Sequence, residues 1–223
     1  MAFADYTFTR SSTHATCTNS TLYVIEGAKS VRVSNADNAT DDFLFRLTSN
    51  TSAICTEIFC VATSKESAGS TSGYASFGLW SHMQGSVNFA ANAYWCVLHA
   101  DTYGAAAARL VLNKVEYGTA MTDNVGLAHA DVQAPARGEF YVIGLRVEHD
   151  TVSGNNFLTA FYEVGVTGIT SAYQFTSPAL ATYLDNSSPY ATSLGVGIGG
   201  NCTGGGGFYT RDVYFDAIQV RTS

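Results

Sequence analysis

Charged residues are scarce in this chain. They make up 13% of its 223 residues, about half the share that is usual in soluble domains. Ser, Thr, Asn, Gly and Ala must therefore cover most of the surface. Such a surface loses little hydration energy when another molecule covers it, since few ions have to be stripped of water. The composition therefore favours a protein that assembles with other molecules.

Features of several other protein classes are also missing. The formal net charge is −7, whereas nucleic-acid binding needs clustered Lys and Arg to replace the counterions of phosphates. No segment approaches a transmembrane span, and the first residues, MAFADYTFTR, lack the basic and then apolar layout of a signal peptide. We therefore expect no nucleic-acid partner and no membrane insertion. The chain either stays in the cytosol, has lost a signal, or leaves by another route such as release inside a virion.

The cysteines have neither the number nor the spacing of a disulfide framework or a zinc site. Cys55 and Cys60 lie five residues apart on one predicted strand, so their side chains point to opposite faces and cannot bond each other there. We expect all five to be free thiols that pack as small apolar groups. The five are Cys17, Cys55, Cys60, Cys96 and Cys202.

Short alternating runs of β-branched and aromatic residues, separated by Gly or Asn turns, predict an all-β protein. The clearest runs are Glu139–Asp150 and Asp212–Arg221. The loop Thr151–Asn156 predicts a hairpin between Glu139–Asp150 and Phe157–Val164. The first strand of this hairpin would carry an apolar face made of Tyr141, Ile143, Leu145 and Val147.

Other segments are less regular. We expect an opening strand at Phe3–Thr9, a polar loop at Arg10–Ser20 and a short strand at Leu22–Ile25. The one helix candidate is Gly104–Leu112, because it contains four consecutive alanines, but four alanines are too short a helix nucleus to stand alone. No linker is visible, so residues 1–223 are expected to form one domain.

The closing strand has the form aromatic–aromatic–Asp–small–Ile–x–Val, and the chain opens with a strand between Phe3 and Phe8. This order of strands resembles the concanavalin A-like lectin/glucanase and laminin G-like jelly rolls, over most of the chain. The resemblance implies an antiparallel jelly-roll sandwich of two sheets, in which the closing strand pairs beside the opening one. The closing residues that carry the resemblance are Tyr214, Phe215, Asp216, Ile218 and Val220.

The catalytic patterns known on this fold do not occur in the sequence. Its glycoside hydrolases place two carboxylates on one strand face, typically in an ExDxxE run, and its alginate-lyase-like members need Arg-x-Glu-Leu-Arg and Gln-x-His strands. Glu148 and Asp150 share a face, but they lie where a strand enters a turn, as solvated charges do. A G-x-S-x-G nucleophile motif is absent as well, and the histidines lack metal-ligand spacing. We therefore predict no catalytic residues and a protein that is not an enzyme.

Two weaker candidate sites follow from the resemblance. Carbohydrate-binding jelly rolls often hold a structural calcium ion between the first and last strands, where Asp5 and Asp216 would meet if those strands pair. The alternative is an Asp that caps a turn or meets Arg211 or Arg221. Exposed aromatic rings stack on sugars in lectins, and Trp80 and Tyr103 are the candidates.

Three functions remain from the sequence. The preferred hypothesis is a non-enzymatic virion structural protein, a capsid decoration or tail component made in the host cytoplasm, which binds identical subunits or other virion proteins. The alternative is a carbohydrate-binding lectin-like module, which could be extracellular. A divergent glycan hydrolase or lyase is the third, and jelly rolls host all three classes.

Overall fold

A computed structural model gives the fold of the chain. It describes residues 6–10, 15–25, 27–35, 40–47, 52–66, 75–84, 92–100, 107–116, 125–136, 138–166, 178–203 and 211–223. These ranges form fourteen strands, and they contain no helix that is long and apolar enough to cross a membrane. The strands are β1 (Tyr6–Arg10), β2 (Ala15–Ser20), β3 (Ser30–Asn35), β4 (Thr40–Leu47), β5 (Cys55–Glu66), β6 (Ala75–Gln84), β7 (Asn92–Ala100), β8 (Ala107–Val115), β9 (Val125–Gln133), β10 (Tyr141–His149), β11 (Asn156–Val164), β12 (Ala181–Asp185), β13 (Gly197–Thr203) and β14 (Arg211–Thr222).

The strands pair into two seven-stranded antiparallel sheets. Sheet A has the order β1-β4-β13-β6-β7-β8-β9, and sheet B has the order β12-β11-β10-β5-β14-β3-β2. Apolar side chains from the inner faces of both sheets form one buried core, as in Phe77 and Leu79 of sheet A and Ile143 and Leu145 of sheet B. The predicted all-β, two-sheet antiparallel sandwich is therefore confirmed.

The central hairpin also forms as predicted. Its strands β10 and β11 pair from Tyr141↔Val164 to His149↔Asn156. The alternation of β10 turns its apolar residues toward the core, because successive side chains of a strand point to opposite faces. The residues of β10 in the core are Tyr141, Ile143, Leu145 and Val147.

The opening and closing strands do not pair with each other, which corrects the sequence prediction. Strand β1 pairs with β4 in sheet A, whereas β14 pairs with β5 and β3 in sheet B. The ring of Phe45 on β4 links their aromatic residues across the core instead. The ring of Phe8 lies 4.7 Å from that of Phe45, which lies 5.1 Å from that of Phe215. The two strands therefore lie in different sheets and do not share an edge.

Two local predictions need correction, and the discounted helix candidate is a strand. The predicted loop Arg10–Ser20 contains strand β2, because Ala15 is buried and Cys17 packs against the core while the residues between and after them are polar. The predicted strand Leu22–Ile25 is a bend. Of the helix candidate Gly104–Leu112, the described part belongs to strand β8, since Leu110 and Leu112 enter the core with the alternation of a strand.

Candidate functional site

Trp80, a predicted sugar-stacking residue, is buried. Its side chain is 0% exposed, and its ring is stacked on Trp95 at a centroid distance of 5.2 Å. Each indole covers a glycine of the neighbouring strand: a Cβ on Gly199 would lie 2.8 Å from Trp80 Nε1, and one on Gly78 would overlap Trp95 Nε1. The prediction that Trp80 is exposed is therefore wrong, because the outer face of sheet A carries a second apolar layer. Tyr103 lies outside the described residues.

Asp216 has a structural use that differs from the predicted calcium site. Its Oδ2 accepts a hydrogen bond from the Ile25 backbone N–H at 2.7 Å, and its Oδ1 accepts one from the Ala217 N–H at 2.7 Å. These bonds hold the bend before β3 against the outer face of sheet B, as the turn-capping alternative requires. Asp5 lies outside the described residues, which contain no group of three His, Cys, Asp or Glu side chains able to hold a metal ion. With Asp5 outside the described residues, calcium binding stays a prediction.

A buried polar network closes one end of the sandwich, which we call the polar end. Strands β5, β7 and β11 begin there, and β6, β8, β10 and β12 end there, because the strands are antiparallel. The network residues lie at the last paired positions of these strands, on the faces that point into the sandwich. They are therefore shielded by both sheets and are largely inaccessible to solvent.

Asp185 is the centre of this network. Its Oδ2 accepts hydrogen bonds from the Tyr94 hydroxyl at 2.5 Å and from Lys114 Nζ at 2.8 Å. Its Oδ1 accepts one from the Ser187 backbone N–H at 3.0 Å. The Lys114 and Asp185 side chains are only 7% and 3% exposed. This buried ion pair joins sheet A, which carries Lys114, to the end of β12 in sheet B.

Lys114 also holds the chain that follows β12. Its ammonium donates to the backbone carbonyl oxygens of Ser187 at 2.5 Å and of Ser188 at 3.1 Å, and it lies 5.1 Å from the centroid of the Tyr190 ring. Together with Asp185 these carbonyls give the ammonium three oxygen acceptors, as a buried amine requires. Ser188 has φ = +54°, a conformation that costs a non-glycine residue about 1 kcal/mol.

Asn156 connects the same chain segment to the hairpin. Its amide nitrogen donates to the Tyr94 hydroxyl and to the Tyr190 carbonyl oxygen, both at 2.9 Å, and its Oδ1 lies 2.7 Å from His149 Nδ1. Burial and the neighbouring Asp185 raise the pKa of Tyr94. The hydroxyl therefore stays protonated and remains a donor to the carboxylate.

The backbone after Tyr190 is anchored to both sheets as well. The Gln84 amide donates to the Thr192 carbonyl oxygen at 2.5 Å, and the Ser193 N–H donates to the Ala53 carbonyl oxygen at 2.9 Å. Arg46 Nη2 donates to the Leu194 carbonyl oxygen at 3.0 Å. We call residues 185–195 the anchored segment. Its backbone is fixed from within, while five of its side chains are exposed: Asn186, Ser187, Ser188, Ala191 and Leu194.

The tip of the β10–β11 hairpin lies beside this segment. Asp150 closes the tip, because its carboxylate accepts from the Val152 N–H at 2.9 Å and from the Ser153 hydroxyl at 2.6 Å. The same hydrogen bonds, that of Ser153 first, lower the pKa of Asp150. We call the solvent-accessible residues of 150–155 and of the anchored segment the loop surface. Asp150 is its single charged group, and its other side chains include amides and hydroxyls as well as the apolar Val152 and Leu194.

A serine beside a histidine also occurs at the polar end. Ser81 Oγ lies 3.2 Å from His82 Nδ1, and Thr56 Oγ1, which is hydrogen-bonded to Ser81, lies 3.3 Å from the same nitrogen. All three residues are 0% exposed, and burial lowers the pKa of His82 to about 4. The group is therefore inaccessible to a substrate and acts as part of the buried network.

A shallow depression of about 290 Å³ lies on the outer face of sheet B. Glu57 lies between two guanidinium groups there: Arg146 Nε donates to it at 2.7 Å, and Arg221 Nη1 donates at 2.5 Å. Two guanidinium groups and the two carboxylates of Glu57 and Glu148 line the depression, so its side-chain charges balance. Glu148 on its rim is exposed, as predicted for an end-of-strand carboxylate.

The free thiols agree with the sequence prediction where the structure describes them. Cys17, Cys55, Cys60 and Cys96 are not in disulfides. Burial raises the pKa of Cys17 to about 12 and raises that of Cys60 well above its usual value, so these thiols are unreactive. The side chain of Cys202 lies outside the described set.

Sequence reasoning missed the buried network. The one available signal was Lys114, which continues the alternation of Leu110 and Leu112 and therefore falls on the inner face of β8. A lysine on an apolar face requires a buried acceptor, but its partner Asp185 lies far along the chain in a segment that carries no strand pattern.

Comparison with known proteins identifies the fold. No family model matches the sequence, and no curated protein sequence matches it. A legume lectin-like domain from Entamoeba histolytica matches the structure with a TM-score of 0.53 and 8% identity, over 94% of this chain and 90% of that one. The exoplasmic/lumenal domain of VIP36, in a Ca²⁺- and mannose-bound form, matches with a TM-score of 0.54 and 9% identity, over 94% and 83%. The metal-free carbohydrate recognition domain of Emp46p matches with a TM-score of 0.50 and 11% identity, over 93% and 87%. The chain therefore has the concanavalin A-like, legume lectin-like sandwich fold.

Proposed function

We propose that this chain is a carbohydrate-binding module, and that it binds neutral sugars at the loop surface without converting them. The observation that carries the proposal is the anchored segment. Its backbone is fixed by Lys114, Asn156 and Gln84, while three of its five exposed side chains, those of Asn186, Ser187 and Ser188, are amides or hydroxyls. Binding groups on a rigidly held loop lose little entropy when a ligand arrives.

The chemistry of the loop surface supports a neutral, polyhydroxylated ligand. Asn186, Ser187 and Ser188 offer donors and acceptors side by side, and the surface has one charged group. A charged ligand would need a counter-charge, whereas sugar hydroxyls need paired donors and acceptors. The likeness in fold to lectin-like domains, one of them solved with mannose, supports the same choice over the virion role that the sequence favours.

The absence of turnover is part of the proposal. A retaining glycosidase needs two carboxyl groups about 5–5.5 Å apart, one of them free to attack the sugar. The buried carboxylates of Glu57, Asp185 and Asp212 are each engaged in an ion pair, the last with Arg32 at 2.8 Å. These groups therefore serve the fold. An extracellular or virion location, a virion partner and a bound calcium ion remain predictions, and mass spectrometry of purified particles tests the virion role.

The test is retention of the folded protein on a glycan array, followed by titration calorimetry with the glycans that retain it. The double variant Asn186→Ala/Ser187→Ala should weaken binding by roughly 10-fold or more, because one or two hydrogen bonds of about 1 kcal/mol each are lost. The matched control is Thr18→Ala, which removes an exposed hydroxyl from β2 at the opposite edge of sheet B.

Circular dichroism and thermal unfolding should show that both variants stay folded. Retention by no glycan, or equal affinity for the wild type and the double variant, would overturn the proposal. Release of shortened sugars from a retained glycan would overturn its non-enzymatic part.

A further inference from the structure

The outer face of sheet B carries exposed apolar residues beyond the loop surface. Phe157 on β11 is 47% exposed and Leu184 on β12 is 42% exposed. They are direct partners in the β11–β12 register, so the two side chains lie next to each other. We call the outward residues of these strands and of β10 the β10–β12 face. Near the polar end it consists of Arg146, Glu148, Phe157, Thr159, Thr182 and Leu184, and Phe161 follows farther along β11.

Two successive rungs of this face differ in both size and charge. The first rung runs Glu148–Phe157–Leu184, and the second runs Arg146–Thr159–Thr182. One therefore has a carboxylate and two bulky apolar groups, where the other has a guanidinium and two small β-branched groups. The first rung would fit the second if they were brought face to face.

We propose that a second copy of this chain packs on the β10–β12 face through a two-fold axis. The axis lies in the plane between the two faces, perpendicular to the strands, at the level of Val147 on β10. Rotation by 180° about this axis keeps each strand over its own copy and reverses its direction. An isologous contact requires such a self-complementary surface.

This symmetry places Arg146 of one copy over Glu148 of the other, and Phe157 over Thr159 of the other. Leu184 is placed over Thr182 in the same way. Arg146 already donates to Glu57 and its side chain is still 38% exposed, so the outer edge of its guanidinium can reach a second carboxylate. Two sheets that pack face to face lie about 10 Å apart, which allows such side chains to interdigitate.

The dimer contact is separate from the loop surface that is proposed to bind sugars. The rest of the face supports a second copy over an unrelated partner, because its charges are balanced within the chain. The side-chain charges of Arg146 and Arg221 are matched by those of Glu57 and Glu148, which leaves no net charge to attract a strongly acidic or basic protein. A partner must therefore match its shape and its alternating charge, and the adjacent rung of the same face does so.

The test is sedimentation equilibrium of the full chain over a series of concentrations. The wild type is compared with three variants at positions 157 and 159. Thr159→Phe would place two bulky rings against each other, and Phe157→Thr would leave both rungs small. Each should raise the dissociation constant of the dimer by about 100-fold, the range of a central interface residue. The exchange variant Phe157→Thr/Thr159→Phe swaps the two rungs and should restore dimerisation.

The control is Val152→Thr at the hairpin tip, where the side chain is 94% exposed and outside the proposed contact. Its dissociation constant should equal that of the wild type, and all variants should keep the far-ultraviolet circular dichroism of the wild type. A wild-type protein that stays monomeric at every concentration would overturn the proposal. So would a dimer that tolerates Thr159→Phe, or a folded exchange variant that remains monomeric.

Discussion

Replacing Lys114 by Met should destabilise the protein strongly. Met keeps the length of the side chain but removes the ammonium, which leaves the Asp185 carboxylate, 3% exposed, without its counter-charge. Removing one partner of a buried ion pair costs about 3–5 kcal/mol. In a chain of this length that loss corresponds to a fall in Tm of about 6–20 °C. Thermal and urea unfolding followed by circular dichroism measure both quantities.

The control for this variant is Arg109→Met on the neighbouring part of β8. Arg109 and Asp131 form an ion pair at 3.2 Å, but their side chains are 56% and 76% exposed. An exposed pair contributes about 0–1 kcal/mol. Lys114→Met and Arg109→Met each remove one positive charge, so the difference between their effects on stability measures the contribution of burial. A double-mutant cycle with Asp185→Asn should give a coupling energy of about 2 kcal/mol.

The Lys114→Met variant should also loosen the anchored segment, because Ser187 and Ser188 lose their common donor. Hydrogen exchange of the backbone amides of Ser187 and Tyr190 should accelerate more than that of β10 amides. The account of the polar end would be refuted if Lys114→Met cost no more than Arg109→Met. Additive effects of Lys114→Met and Asp185→Asn would refute it as well.

Two further predictions concern single buried positions. His82 has its pKa lowered from 6.5 to about 4, chiefly by burial. The unfolded chain therefore binds the proton first as the pH falls, and about 3 kcal/mol of stability should be lost between pH 6.5 and 4. Urea unfolding should show a smaller pH-dependent loss in His82→Asn, because Asn has no proton to bind in this range. Asn is the suitable replacement, since it tolerates the φ of +49° at this position. Gly78→Ala should cost about 1–3 kcal/mol or more, because its Cβ would overlap the Cys96 carbonyl oxygen. Gly126→Ala, whose Cβ would have a neighbour at 4.0 Å, should cost less than about 0.5 kcal/mol in the same assay.

The sequence predicted the parts of the fold that depend on alternation. The β10–β11 hairpin combines a run of apolar residues at every second position with a turn around Gly154, which has φ = +74°. Both signals are local, so they can be read without knowledge of the rest of the chain. Strand β2 was missed because its inward residues, Ala15 and Cys17, are small and its outward residues resemble a loop.

The exposure of aromatic residues could not be predicted in the same way. Trp80 is followed by two polar residues, which suggested a solvated position. Ser81 and His82 are themselves buried, and their polar atoms form hydrogen bonds inside the sandwich. The space for the indole comes from Gly199, a residue on a strand that is adjacent only in the folded sheet. Long-range pairing of this kind leaves no trace in the local sequence.

The role of Asp216 shows the same limit. Its place on the closing strand was predicted, but its hydrogen-bond partners were not. One partner is the N–H of the next residue, Ala217, and the other is the N–H of Ile25, in a bend 191 residues earlier. The resemblance implied a neighbour on the opening strand instead. A carboxylate on a strand face accepts whichever donors the topology brings to it, and the pairing of β14 with β5 and β3 decides this.

The two proposals together have a geometric consequence. The loop surface lies at the polar end of the sandwich, beyond the ends of β10 and β12. The proposed two-fold axis is perpendicular to the strands and reverses their direction, so the two loop surfaces of a dimer point in opposite directions. Two such sites cannot bind one flat glycan-bearing surface together, whereas they can connect two separate surfaces. A dimer built in this way therefore acts as a cross-linker, and its gain in affinity for a single surface is small.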